Sequence, residues 1–167
     1  PVPGSTEQTW YLGPQGALRS VPPSVDATAA YRPDVVGRRH DPGPAVVDDP
    51  ERFVWTPVAA DASLGFVTAP LDKDVVVVGP VGARIALSSS AADTDLAVTV
   101  TEVRPDGQEM LVGTGVQRAS MRHVDADRTT ATRPALTFDR VEPLRAAGAV
   151  DVVLDLGATP QRALVVD

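Results

Sequence analysis

Residues 96–112 read LAVTVTEVRPDGQEMLV, and this stretch decides the fold class. Leu96, Val98 and Val100 alternate with small or polar residues, and a period of two places these three on one face of a half-buried strand. The turn Arg104–Gly107 follows, in which proline presets the backbone angle of the second position and glycine suits the last. The chain then resumes with the apolar Met110. The pattern therefore predicts a β-hairpin.

Similar short apolar segments, separated by turn residues, recur along the rest of the chain. The 16 prolines argue against long helices. The sequence therefore predicts an all-β sandwich or jelly roll of about eight to ten short strands with little helix. The predicted strands cover residues 9–12, 65–68, 75–78, 83–89, 96–103, 109–113, 150–156 and 163–166, and residues 17–19, 53–55 and 134–141 are further candidates.

Composition narrows the functional class. A chain of 167 residues with 43% hydrophobic residues suits one domain with its own core. We interpret residues 1–9 as a linker and residues 10–167 as that single domain. The net charge of −7 repels phosphate backbones, which speaks against a nucleic-acid partner. No apolar run reaches the roughly 18 residues that a membrane span needs, so no membrane partner is expected. The absence of cysteine excludes disulfides and thiolate metal sites.

An ordered set of short motifs carries a family resemblance from Trp10 to Arg122. The chain resembles the C-terminal non-catalytic domain of X-prolyl dipeptidyl-peptidases and of cocaine-esterase-like (CocE/NonD) serine hydrolases. Beyond Arg122 the resemblance thins, so the last strands of the family domain are either missing or diverged. The matching pieces are Trp10-Tyr11-Leu12 with Gly16-Ala17-Leu18, Asp41-Pro42 with Pro44, Ala69-Pro70-Leu71, Gly79-Pro80-Val81 with Ala83-Arg84, Ser88-Ser89-Ser90, Asp93-Thr94-Asp95-Leu96, Val103 to Gly107, and Gly115 to Arg122.

The resemblance implies a fold and a role. In that family the domain is a jelly-roll β-sandwich of galactose-binding-like type, and it packs on an α/β-hydrolase catalytic domain that supplies serine, aspartate and histidine. It helps to wall the substrate cleft and can take part in homo-oligomer contacts. The resemblance thus implies an accessory domain without activity of its own, within an ester or X-Pro peptide hydrolase. The alternatives are a free-standing carbohydrate-binding-like jelly-roll module and a complete small enzyme.

Candidate catalytic residues are scarce. The Gly-x-Ser-x-Gly elbow of α/β-hydrolases is absent from the sequence. Ser88–Ser90 is more simply a polar strand end than part of a catalytic triad. His40 and His123 are the only histidines, and neither stands at a telling spacing from a serine. We therefore predict no catalytic, cofactor-binding or metal-binding residue in this chain.

Asp93 and Asp95 flank a threonine just before the Leu96 strand. Such carboxylates accept hydrogen bonds from nearby backbone amides in turns, and Arg118 or Arg122 could pair with them. These four residues are the structural loop candidates. A structural calcium is the alternative, but calcium takes about six to eight oxygen ligands and two carboxylates are too few. Two histidines without cysteine also speak against zinc.

A long proline-rich loop, residues 21–47, precedes a pair of aromatic residues. A loop of this length is uncommon unless it covers a surface or a neighbouring domain. Aromatic rings are more simply core or interface anchors than sugar platforms. Tyr31, Phe53 and Trp55 are therefore predicted to form an interface or a cleft wall.

Overall fold

The computed structural model describes residues 3–30, 32, 58, 63–130, 133–144 and 148–164, and of residues 158–164 the backbone alone. The described residues are all-β: they form six strands, and their 3₁₀ helices, Pro14–Gly16 and Ala119–Met121, have three residues each. The chain divides into two compact units, Pro3–Asp74 and Val75–Val165. The linker over residues 1–9 and the single domain over residues 10–167 stay predictions.

The unit Pro3–Asp74 contains a small antiparallel hairpin. Strand β1 (Tyr11–Leu12) pairs antiparallel with β2 (Leu18–Arg19). Val67 joins them through one bridge, because its N–H donates to Gly16 O at 2.8 Å and its carbonyl accepts from Leu18 N at 2.8 Å. The predicted strand 65–68 is therefore reduced to a single bridge, between Val67 and Ala17, the residue before β2.

The unit Val75–Val165 contains two antiparallel sheets of two strands each. Strand β3 (Val75–Leu87) pairs with β6 (Val150–Leu164), and β4 (Asp95–Val103) pairs with β5 (Glu109–Arg118). Two predicted pairs of short strands are thus fused into β3 and β6. In β3 the fusion passes through Gly79-Pro80, where a positive φ of 106° at Gly79 and two register shifts interrupt the regular ladder. Turn residues in the sequence mark a bulged segment here rather than a chain reversal.

The predicted β-hairpin is confirmed. Gly107 N donates to Arg104 O at 2.9 Å and closes the turn between β4 and β5. Gly107 has φ +80°, a left-handed angle that glycine adopts without steric cost. Strand β5 runs on to Arg118, five residues past its predicted end. One register shift, between Val100 and Thr101, interrupts the ladder.

The core lies between the two sheets. Fully buried Val152 and Leu154 mark its centre, and the predicted inward alternation of residues 150–156 is confirmed. Val76 in β3 is 57% exposed, so the four valines at residues 75–78 are not buried on both faces of the strand. The jelly-roll strand order stays a prediction. The core comprises Ala119, Leu144, Val152, Leu154 and Leu156, packed against Val81, Ala83, Ile85, Leu87, Leu96, Val98, Val100 and Val150.

The segment between β5 and β6 is irregular in its described part. The predicted strand 134–141 is reduced to one bridge, between Leu136 and Val124. Asp125 heads a single turn: its carboxylate accepts from the N–H groups of Asp127 and Arg128, and its carbonyl accepts from Thr129 N at 3.0 Å.

Candidate functional site

Asp93 joins the loop before β4 to the turn after β5. Its Oδ1 accepts from Thr94 N at 2.9 Å and from Ser120 N at 2.9 Å. Its Oδ2 accepts from the Ser120 hydroxyl at 2.7 Å. Short acidic side chains commonly bind their own local backbone. Here the same carboxylate also holds a buried residue, 2% exposed, that lies 27 positions further along the chain.

Asp95 and Arg118 face each other at the end of the β4–β5 ladder, where they are paired residues. Arg118 donates from Nε to Asp95 Oδ1 at 2.8 Å and from Nη2 to Oδ2 at 2.9 Å, a bidentate contact. Arg118 Nε also lies 3.9 Å from Asp93 Oδ2. We call Asp93, Thr94, Asp95, Arg118 and Ser120 the Asp93 cluster. The exposed ion pair between Asp95 and Arg118 adds little stability by itself. The hydrogen bonds of Asp93 are therefore the main structural element of the Asp93 cluster.

Both carboxylates of the Asp93 cluster favour the charged form. The hydrogen bond from the Ser120 hydroxyl, helped by backbone N–H groups, holds the pKa of Asp93 below its ordinary value. The hydrogen bond from Arg118 lowers the pKa of Asp95 in the same way, and the two carboxylates raise the pKa of Arg118. The two aspartates and Arg118 of the Asp93 cluster are therefore charged at neutral pH.

Arg122 lies apart from the two aspartates. Its Nη1 donates to Ala119 O at 3.1 Å and to the carbonyl of Glu142, while Nη2 lies 3.3 Å from Glu142 Oε2. Its side chain is only 15% exposed. The structure therefore brings together three of the four predicted loop residues and assigns Arg122 to the segment that contains Glu142.

Backbone hydrogen bonds extend this framework. Ala119 N donates to Thr94 O at 2.9 Å, and Leu144 N donates to Ala92 O at 2.7 Å. Glu142 N donates to Ser120 O at 2.7 Å. Three segments distant in sequence are thus bound at one place. The sequence analysis did not identify Ser120 or Glu142 as part of this arrangement. Ser120 lies within the family motif Gly115 to Arg122, which could have indicated it, whereas no sequence signal marks Glu142.

The described serines and histidines have structural contacts. The hydroxyl of Ser120 donates to the Asp93 carboxylate, where a catalytic triad has a histidine, and Ser120 is 2% exposed. Ser89 Oγ accepts from Ala91 N at 3.1 Å, a local turn contact. His123 places Nδ1 3.7 Å from Glu142 Oε1. His40 lies outside the described residues.

The arrangement of donors also bears on metal binding. The oxygens of Asp93 and Asp95 accept hydrogen bonds from N–H and O–H groups of the chain itself. Among the described residues, no three or more His, Cys, Asp or Glu side chains gather in a way that could hold a metal ion. Within the same ranges, no helix has the length and apolar character to cross a membrane.

Tyr31, Phe53 and Trp55, the predicted interface or cleft-wall residues, all fall outside the described residues. Their role stays a prediction.

Comparison with known proteins assigns the framework to a family. The family model of the X-Pro dipeptidyl-peptidase C-terminal non-catalytic domain matches residues 1–163. The chain belongs to this family. The family describes this domain as non-catalytic, and the hydrogen bonds of the Asp93 cluster connect loops of the fold.

Relatives of this non-catalytic domain are larger hydrolases. A cocaine esterase from Rhodococcus sp. (strain MB1 Bresler) is 34% identical over 99 residues, which is 59% of this chain and 15% of the esterase. Two crystal structures of a CocE/NonD family hydrolase from Staphylococcus aureus match 59% of this chain and 20% of theirs. Their TM-scores are 0.54 and 0.53, at 22% and 21% identity, a likeness that concerns the fold alone. The chain thus spans only 15–20% of the length of these relatives.

Proposed function

We propose that this chain packs on an α/β-hydrolase catalytic domain of the same parent protein and helps to wall its substrate cleft. The observation that carries the proposal is the match of the non-catalytic family domain over residues 1–163. The small share of the relatives that the chain covers supports it, because most of each relative is available for a catalytic domain.

The parent's chemistry is hydrolysis of an ester or of an X-Pro peptide bond through a serine acyl-enzyme. The named relatives, a cocaine esterase and the X-Pro dipeptidyl-peptidases, act on these two classes of acyl compound. This chain lacks the Gly-x-Ser-x-Gly elbow, and its Ser120 is buried against Asp93. The nucleophile, the base and the oxyanion donors therefore come from the catalytic domain.

The contribution of the Asp93 cluster is rigidity. It ties the loop before β4, the turn after β5 and, through Ser120 O, the Glu142 segment. Loops held by a rigid scaffold are the usual means by which a domain presents residues to a neighbour. No cofactor is needed for this role, since hydrogen-bond donors of the chain itself already bind both carboxylates. A structural calcium is not part of the proposal.

The test uses the full-length parent protein and a fluorophosphonate probe, which labels activated serines. We expect the label on a serine outside these 167 residues, together with turnover of p-nitrophenyl esters or X-Pro-anilides. Trimming this domain from the parent should change KM and the range of accepted acyl groups, because one wall of the cleft is lost. A label on a serine of this chain, or an unchanged substrate range after trimming, would contradict the proposal.

A glycan array probed with the same protein provides the control for the other function. Saturable binding to one sugar class, together with a parent that no fluorophosphonate labels, would favour a carbohydrate-binding module instead.

A further inference from the structure

Phe138 has an unusual backbone and an unusual exposure for an aromatic residue. Its φ is +53°, in the left-handed region that favours glycine and that bulky residues rarely adopt. Its side chain is 60% exposed. Strained residues tend to lie at functional positions, where the surrounding structure enforces the conformation.

The neighbours of Phe138 hold that conformation from both sides. On the N-terminal side, Leu136 bridges to Val124 and Thr137 N donates to His123 O at 3.1 Å. On the C-terminal side, Asp139 accepts from the Thr137 hydroxyl and lies 3.6 Å from Arg140 Nε. These contacts secure the residues around Phe138 while most of its ring faces solvent.

An aromatic ring held in this way is suited to binding. A phenylalanine side chain has two rotatable bonds, so little conformational entropy is lost when a partner covers it. Val141, three residues further on, is 66% exposed. We call Phe138 and Val141 the Phe138 anchor.

We propose that the Phe138 anchor is a docking point for the catalytic domain of the same parent protein. This inference rests on the proposed function, and it adds the surface through which the two domains meet. Aromatic residues, phenylalanine among them, are enriched in the buried centres of protein interfaces.

The area of the anchor favours a partner on the same chain over a second copy. An aromatic side chain offers about 150–250 Å², so the two residues together supply far less than the roughly 800 Å² per partner that a stable complex buries. A covalently linked domain needs a smaller buried area to stay docked, because the linkage gives it a high effective concentration. Relatives five or more times the length of the matched part have room for such a domain.

The test measures backbone hydrogen exchange of the peptide covering residues 133–144 in the full-length parent protein. Phe138→Asn removes the ring while tolerating the left-handed backbone. Val116→Thr is the matched control, since Val116 is 71% exposed on the outer face of β5. We expect Phe138→Asn to speed exchange of this peptide about tenfold or more, as loss of an aromatic hot spot implies, and Val116→Thr to leave it unchanged.

The outcomes separate the two proposals. If Phe138→Asn leaves the exchange of residues 133–144 in the parent unchanged, the domains dock elsewhere and the anchor is refuted. If the packing in the proposed function fails as well, trimming this domain also leaves the range of accepted acyl groups unchanged. A dimer of the parent that Phe138→Asn dissociates would assign the anchor to a second copy and overturn the choice of partner.

Discussion

Gly115 on β5 should be intolerant of any side chain. A Cβ at this position would lie 2.3 Å from the carbonyl oxygen of Asp155 on β6 and 2.9 Å from Leu156 Cδ2. Real Cβ atoms essentially never come within 3.0 Å of another atom, so the backbones of β5 and β6 would have to separate by at least 0.7 Å. Close packing leaves little freedom for that movement, and overpacking a core costs about 1–3 kcal/mol.

Two other glycines provide graded controls. A Cβ at Gly113 would lie 2.9 Å from Leu156 O, whereas a Cβ at Gly65 would meet nothing within 4 Å. In urea denaturation, we expect Gly115→Ala to lower the free energy of unfolding most and Gly113→Ala to lower it less. Gly65→Ala should change the free energy of unfolding by no more than about 0.5 kcal/mol. If Gly115→Ala unfolds at the same midpoint as Gly65→Ala, the argument that β5 requires glycine against β6 is refuted.

Four further predictions concern the core, the Asp93 cluster and activity. Leu154→Ala should lower the free energy of unfolding by about 2–5 kcal/mol, because Leu154 is 1% exposed, whereas Val116→Ala should change it by less than about 0.5 kcal/mol in the same denaturation assay. The pKa values of Asp93 and Asp95 are lowered by folding, so their stabilisation is present above about pH 4 and lost as the pH falls through the folded values. The difference in melting temperature between the wild type and an Asp93→Asn, Asp95→Asn variant should therefore shrink below about pH 4, and a constant difference would refute it. EDTA should leave the wild-type melting temperature unchanged, and a drop would restore the calcium interpretation. The 167-residue chain alone should not hydrolyse p-nitrophenyl esters or X-Pro-anilides, and turnover that disappears in His123→Ala would show that it carries a catalytic site.

Local chemistry made several features predictable. The turn Arg104–Gly107 needs only its own four residues, so its closure between β4 and β5 could be predicted. The alternation of residues 150–156 predicted which side chains face the core, because the period of a strand is local. The order of short motifs from Trp10 to Arg122 predicted the family.

The fusion of short predicted strands into β3 and β6 could not be predicted from the sequence. Gly79-Pro80 resembles a turn in sequence, yet β3 continues through it because pairing with β6 resumes on both sides of two register shifts. The contact from Asp93 to Ser120 spans 27 residues, and that from Arg122 to Glu142 spans 20. Such distances are set by packing, for which a single sequence carries no direct signal.

The register of the β4–β5 hairpin separates what the sequence determined from what only the tertiary structure determined. The sequence alone determined that a hairpin forms and where it turns, with Val103 opposite Glu109. Continued without interruption, that register would place Asp95 opposite Gln117. The shift between Val100 and Thr101 moves the pairing by one residue, so Asp95 meets Arg118 and Gly115 faces β6. A one-residue slip exchanges the two faces of a strand, so the shift determines which residues of β5 face β6. The bulged register places glycines where the backbone of β6 approaches. This contact exists only in the folded protein, and for that reason the tertiary structure decides the shift.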